Sequence, residues 1–259
     1  MNAPLAGQVV VVTRPARQAA RFLRLLEERG ARAVAFPTIA VEAVPLAPDA
    51  RRELEVGQLD WIVFTSANAV EHAPSSVPPG ARIAAIGRAT ARTIEALGLR
   101  VDALPAAGAD TEGLLALPAF ADMTGRRVLI VKGVGGRDAL RAGLAARGAQ
   151  VGVAEVYRRV PAAPVAGAVE AVRRACETGR AVIAVTSVEV LESLLELAPE
   201  SRVPGLLDAR LVVPGERVAS AARGNGWRGP IVVARSAEDE AMLAALADGA
   251  PGERDSETA

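Results

Sequence analysis

Thr and Ser stand side by side twice in this sequence, each time after an apolar run. Thr65-Ser66 follows Trp61-Ile62-Val63-Phe64, and Thr186-Ser187 follows Ala181-Val182-Ile183-Ala184-Val185. Hydroxyls in that position have two uses. They cap a following helix by accepting its free N–H groups, or they hold a ligand, because the carboxyl ends of strands in open α/β sheets face ligands and helix amino termini favour anions. One such pair alone fits a cap; its recurrence in both halves raises the binding reading. Thr90 is a further hydroxyl with the same two readings. Arg14 and Lys132, the only lysine, supply cations, and Lys132 opens the turn Gly133-Val134-Gly135-Gly136-Arg137-Asp138. A flexible backbone before a helix suits a carboxylate or phosphate, or is simply a permissive turn. The turn lacks the third glycine of the dinucleotide fingerprint and the Gly-Lys-Ser/Thr of a P-loop, so neither NAD nor ATP is expected. Tyr157, the only tyrosine, sits in Glu155-Val156-Tyr157-Arg158-Arg159. Its phenol either packs its ring and sends the hydroxyl to water, or reaches a ligand.

Other chemistries find little support. The single histidine, His72, lies in a weak helical pattern with no cysteine or acidic cluster beside it, which reads as a solvated or packed side chain and not as a metal ligand. No metal site and no cofactor are expected. Cys176 is the only cysteine, which excludes an intramolecular disulfide, and without a histidine nearby in sequence it reads as a small buried filler. Thirty basic and thirty acidic residues cancel, with no dense basic run, so nucleic acid is not an expected partner. Neither a signal peptide nor a membrane-length apolar segment is visible, and a cytoplasmic location is the expectation.

The elements that must position these groups alternate. Residues 8–13 read as a buried strand, and Pro15 opens a helix to Arg29 that Gly30 stops. Residues 33–36 form a second strand; after Pro37, residues 39–44 alternate like an edge strand. A short helix, the Trp61 strand, a helix from Asn68, a strand at 82–86, a helix over 88–97, a strand near 101–104 and a helix over 111–117 capped by Thr111 follow. Hydrophobic residues make up 51% of the chain and aromatics only 3%, so the core is built of Ala, Val and Leu. The length of 259 residues suits two domains, and residues 249–259 read as a polar, frayed tail.

The second half repeats the first. Gly7, Arg14 and Gly30 recur 118 positions later as Gly125, Lys132 and Gly148; Thr65-Ser66 recur 121 later, and Gly87 and Gly98 recur 128 later as Gly215 and Gly226. Drift of this kind comes from loop insertions. The expected architecture is a duplicated, doubly wound α/β unit with parallel sheets. Both connecting segments, 39–44 and 156–160, end at proline, Pro45 and Pro161.

In order and spacing, a set of segments resembles the uroporphyrinogen-III synthase family over nearly the whole chain. They are Thr13-Arg14-Pro15, Phe36-Pro37, Phe64 to Val70 with Asn68, Ala85-Ile86-Gly87 with Thr90, Lys132-Gly133 with Gly135-Gly136-Arg137, Val156-Tyr157-Arg158-Arg159, and Thr186-Ser187. The resemblance implies two α/β domains, 1–38 with 163–259 and 46–154, joined by a two-stranded connector of 39–45 and 155–162. It implies a cofactor-free cyclisation of a linear tetrapyrrole, hydroxymethylbilane, with inversion of the last ring and loss of water, by a monomer. Tyr157 is then the candidate acid, and Arg14, Thr65, Ser66, Asn68, Thr90, Lys132, Gly133, Thr186 and Ser187 the candidate substrate contacts. Where many members carry threonines after the glycine matching Gly215, this chain has Glu216-Arg217. Two other readings stay open: a bilobal tetrapyrrole- or anion-binding regulator without catalysis, and a nucleotide-sugar glycosyltransferase, which would need more chain and a clear diphosphate site.

Overall fold

Short runs of Val, Ile and Ala with no polar face suit only the inside of a sheet covered on both sides. The computed structural model describes residues 4–74, 77–106, 110–136, 138–163 and 165–248, and ten strands form among them, of which Val9–Val12, Trp61–Phe64, Ala181–Ala184 and Arg210–Val213 are runs of this kind. In chain order the elements are β1 (Val9–Val12), α1 (Ala16–Glu28), β2 (Arg32–Ala35), β3 (Ile39–Ala43), α2 (Pro48–Val56), β4 (Trp61–Phe64), α3 (Ala67–His72), β5 (Arg82–Ala85), α4 (Arg88–Ala96) and α5 (Thr111–Leu115). Then follow β6 (Arg127–Gly133), α6 (Ala139–Ala145), β7 (Gln150–Pro161), α7 (Ala168–Glu177), β8 (Ala181–Ala184), α8 (Val188–Leu197), β9 (Arg210–Val213), α9 (Glu216–Gly224), β10 (Ile231–Val233) and α10 (Asp239–Asp248). The chain divides into two compact units, Met1–Ala40 with Val160–Ala259, and Val41–Arg159.

The first sheet has the order β10-β9-β8-β1-β2, with every neighbour parallel. Alternate residues of its strands feed two separate cores. Val11, Ile183, Leu211 and Val213 pack with residues of α7, α8 and α9, while Val10, Val12, Val182 and Val212 pack with residues of α1 and α10. Each fully buried Val, Leu or Ile contributes roughly 1.5–3 kcal/mol, so this two-sided covering is the main source of cohesion. Chain order reverses between β1 and β8, which makes their carboxyl ends the switch point where such sheets bind ligands.

The second sheet has the order β3-β7-β6-β4-β5. Pairs β4–β5, β4–β6 and β6–β7 are parallel, and its switch point lies between β4 and β6. Ile62, Phe64, Leu129 and Val131 face one core, and Trp61, Val63, Val128 and Ile130 face the other. Trp61 stacks at 4.8 Å from Phe120 on one side and receives the Arg82 guanidinium at 4.5 Å. Edge strand β3 runs antiparallel to β7: the Val44 amide donates to the Val156 carbonyl, and the Arg158 guanidinium reaches Glu42, in opposite order along the two strands.

β7 is one uninterrupted twelve-residue strand, and residues 155–161 of the expected connector are its continuation. Two sequence expectations change here. The segment 101–104 forms only an isolated bridge, Ala84 with Ala103, because its chain meets β5 for a single residue. Asp110, not Thr111, caps α5, accepting from the Gly113 amide at 2.8 Å. A carboxylate is the stronger acceptor for free helix N–H groups. Residues 249–259, read as a frayed tail, and Arg137 lie outside the described residues.

Candidate functional site

At the β4–α3 corner an apolar run ends in Thr65-Ser66, and the backbone of Ser66 is extended, with φ −166° and ψ 162°. That turns its side chain back over the helix start, where Oγ accepts the Ala69 amide at 3.0 Å. The β8–α8 corner repeats this, with Ser187 at φ −159° and ψ 165° and its Oγ accepting from the Val190 amide at 3.2 Å. The serines are therefore caps in both places. Thr65 ties its strand to β6 instead, donating from Oγ1 to the Val131 carbonyl at 3.2 Å.

A second bond distinguishes Ser66. The hydroxyl of Tyr157 lies 3.1 Å from Ser66 Oγ, a contact between β7 and the β4–α3 corner across the switch point of the second sheet. The Tyr157 side chain is only 4% exposed. Its ring lies over Gly133, whose hypothetical Cβ would stand 2.6 Å from Tyr157 Cζ. The geometry explains Gly133 by space and not by conformation, since Gly133 is not among the glycines with positive φ. A one-residue shift of register between Lys132 and Gly133 brings Tyr157 opposite Gly133.

His72 joins this cluster, which sequence reading missed. Its ring centroid is 5.8 Å from that of Tyr157, and its Nδ1 lies 2.8 Å from the Asn68 carbonyl oxygen. A carbonyl can only accept, so the proton sits on Nδ1 and Nε2 is left as the neutral ring's acceptor. The signal was the one-turn spacing from Asn68 to His72, but only the fold brings Tyr157 alongside. The Arg159 guanidinium carbon lies over the Tyr157 ring, 6.0 Å from its centroid.

Lys132 is half-buried and makes no side-chain hydrogen bond or ion pair among the described residues. It lines a cavity of about 380 Å³ with Asp138, Arg141 and Glu155. Beside it, the Gly135 amide donates to Glu155 Oε1 at 3.1 Å. The glycine turn thus already holds a carboxylate, one supplied by β7. Thr90 is 3% exposed in the first turn of α4.

In the first unit the candidates have different surroundings. Arg14 does not present an open guanidinium: Nη1 pairs with Asp239, Nη2 donates to the Ala237 carbonyl at 2.9 Å, and the group stacks 4.5 Å over Phe22. Its physical context is a buried clamp on the start of α10. Thr186 and Ser187 are half-buried at the carboxyl end of β8. Glu216 pairs with Arg223 along α9. Burial pushes the Cys176 thiol up to about 11, which leaves little thiolate for nucleophilic chemistry. Among the described residues no group of three or more His, Cys, Asp or Glu side chains is arranged to hold a metal ion, and no helix is long and apolar enough to cross a membrane.

Two largely parallel sheets with hydroxyls, backbone amides and one lysine near their switch points define an α/β protein. A family model described as uroporphyrinogen-III synthase HemD matches residues 20–244. The uroporphyrinogen-III synthases of Salmonella typhimurium LT2 and Escherichia coli K12 are each 35% identical, covering 92% of this chain and 99% of theirs. The crystal structure of uroporphyrinogen-III synthetase from Helicobacter pylori 26695 has a similar fold, with a TM-score of 0.60 at 16% identity over 92% of this chain and 97% of that one. The chain belongs to the uroporphyrinogen-III synthase family, whose members are ring-closing lyases of porphyrin biosynthesis.

Proposed function

We propose that the protein cyclises hydroxymethylbilane with inversion of the last ring and loss of water, that Tyr157 supplies the acid that helps the hydroxyl depart, and that no cofactor takes part. The observation that carries this is the Tyr157 hydroxyl held 3.1 Å from Ser66 Oγ at a sheet switch point. The linear substrate carries many carboxylates and closes readily without help. An enzyme need mainly fold it, assist departure of water and exclude the uninverted closure. Ser, Thr and Asn groups, backbone amides and Lys132 suit those tasks. Thr65, Asn68, Thr90, Gly133, Thr186 and Ser187 are the further proposed contacts, while the ion pair of Arg14 with Asp239 supports a structural role for that residue.

Internal duplication belongs to the same proposal. Strand order β2-β1-β8-β9-β10 corresponds to β7-β6-β4-β5 followed by the Ala103 bridge. Gly30 and Gly148 have φ of 84° and 89°, and Gly98 and Gly226 have 76° and 82°, which supports the pairing found in the sequence. We read the two units as the two domains, and the protein as a cytoplasmic monomer; sedimentation and cell fractionation test the last two points.

The deciding experiment is product analysis after incubation with hydroxymethylbilane, scoring the type III against the type I isomer. Wild type should give type III. Tyr157→Phe keeps the ring over Gly133 and should lose roughly 10- to 100-fold in turnover, at or below the low end for general acid catalysis, because the uncatalysed barrier is already small. Type III selectivity should survive, since the whole cleft sets it. Only type I product from wild type would point to a binding protein, and full turnover in Tyr157→Phe would end the acid assignment.

A further inference from the structure

Tyr157 is nearly enclosed, with 4% of its surface exposed, whereas Ser66, its hydroxyl partner, is only half-buried. An acid that is enclosed needs a way to deliver its proton. We infer that Ser66 is that route: the Tyr157 phenol donates to Ser66 Oγ, and the Ser66 hydroxyl donates to the departing oxygen of the substrate. This rests on the acid role of Tyr157 and adds a second group to it.

The hydrogen-bond inventory favours this direction. A serine oxygen has two acceptor positions and one proton. The Ala69 amide fills one acceptor position. Either oxygen of the 3.1 Å contact with Tyr157 can donate, but if Ser66 donated, the proton of the enclosed phenol would have no acceptor among the described residues, so the phenol proton fills the other position. The serine proton then has no acceptor among the described residues and is the one left to meet a ligand. Two donors on one oxygen polarise its remaining O–H, so each bond in the chain strengthens the next. Ser187 shows that the cap does not require this arrangement. Its Oγ accepts from Val190 in the same way, and no hydroxyl side chain contacts it among the described residues. The Ser66–Tyr157 contact is therefore an addition to a working cap.

The proton accounting closes. As the carbon–oxygen bond of the hydroxymethyl group breaks, its electron pair leaves with the oxygen, which takes the Ser66 proton and departs as water. Ser66 regains a proton from Tyr157, which becomes a phenolate. For the last ring to invert, its bridge-bearing carbon bonds to the freed methylene, the old bridge bond to that carbon breaks, and the released bridge carbon bonds to the ring's unsubstituted carbon, which loses a proton that returns along the same path to the phenolate. No oxidant, reductant or further reactant enters.

The test uses the full chain and single-turnover cyclisation of hydroxymethylbilane, with variants Ser66→Ala, Ser66→Thr, Tyr157→Phe and the double variant Ser66→Ala/Tyr157→Phe, each checked for folding by thermal melt. The relay predicts a loss for Ser66→Ala within about threefold of that for Tyr157→Phe. It also predicts no further loss in the double variant, because groups acting as one unit are not additive. Ser66→Thr keeps the hydroxyl and the cap and should restore most of the rate. In mixtures of light and heavy water, the wild-type rate should fall along a curve, as two protons in flight require, and along a straight line in Ser66→Ala. Full turnover in Ser66→Ala beside a slow Tyr157→Phe would reduce Ser66 to a cap and overturn the relay alone. Multiplying losses in the double variant, or a straight wild-type plot, would overturn it as well. Wild-type turnover in Tyr157→Phe would remove the acid reading beneath it.

Discussion

The ring of Tyr157 occupies the space where a side chain on Gly133 would begin, with Cζ 2.6 Å from the position of a first carbon. The two residues are opposite each other on β6 and β7 because the register shifts by one residue between Lys132 and Gly133. Glycine at 133 is what lets the phenol lie flat against the strand and reach Ser66.

Gly133→Ala should accordingly displace the ring and separate the two hydroxyls. Overpacking of this kind costs about 1–3 kcal/mol, and urea denaturation should show it together with a turnover as low as that of Tyr157→Phe. Wild-type turnover with a stable Gly133→Ala protein would mean that the ring position is irrelevant to the chemistry.

Lys132→Ala should raise KM and leave the melting temperature nearly unchanged. A charge-assisted hydrogen bond to a substrate carboxylate is worth roughly 1.5–3 kcal/mol, about 10- to 150-fold in affinity, whereas a substitution that breaks no hydrogen bond, ion pair or core contact usually moves stability by no more than about 0.5 kcal/mol. Unchanged kinetic constants would take Lys132 out of the site.

Asp239→Ala should destabilise the first unit by about 3 kcal/mol, because it strands the Arg14 guanidinium, 9% exposed, without its carboxylate. Asp239 also receives Arg21 Nη1 at 2.8 Å, so both arginines lose a partner at once. A loss below about 1 kcal/mol in urea, accompanied by a changed KM, would show that Arg14 turns outward to a ligand instead.

What could be read from the sequence was local. An apolar run followed by Ser is complete within six residues, and both corners formed as expected, with Ser66 and Ser187 as caps. The alternation that gives a parallel α/β fold is equally local. The segment 101–104 has strand-like residues as well, yet it forms one bridge, because pairing depends on how much of a neighbour is within reach. The environment of the site depends on partners far away in the chain. Tyr157 meets a glycine 24 residues before it and a serine 91 before it; Arg14 meets an aspartate 225 residues after it. Nothing in the composition near Arg14 distinguishes a clamp from a ligand contact. The bond from the Gly135 amide to Glu155, 20 residues further on, likewise depends on the pairing of β6 with β7 and has no signal near the turn itself.

The pairing of β1 with β8 has a consequence for how the protein is made. Val9 pairs in register with Ala181 and its amide donates to the Arg180 carbonyl at 2.9 Å, so β1 lacks one neighbour until residues some 170 positions later have been made. At ~5–20 residues per second the wait is roughly 10–30 s. All of residues 41–159 emerge during that interval and need nothing later to complete their own sheet. The inner unit therefore finishes first, while β1, paired only with β2, presents an open and wholly aliphatic edge, Val9-Val10-Val11-Val12. Such an edge invites foreign strands. The hazard for this protein lies in the nascent chain, where a delay in synthesising residues 181–184 would lengthen the exposure without altering the finished molecule.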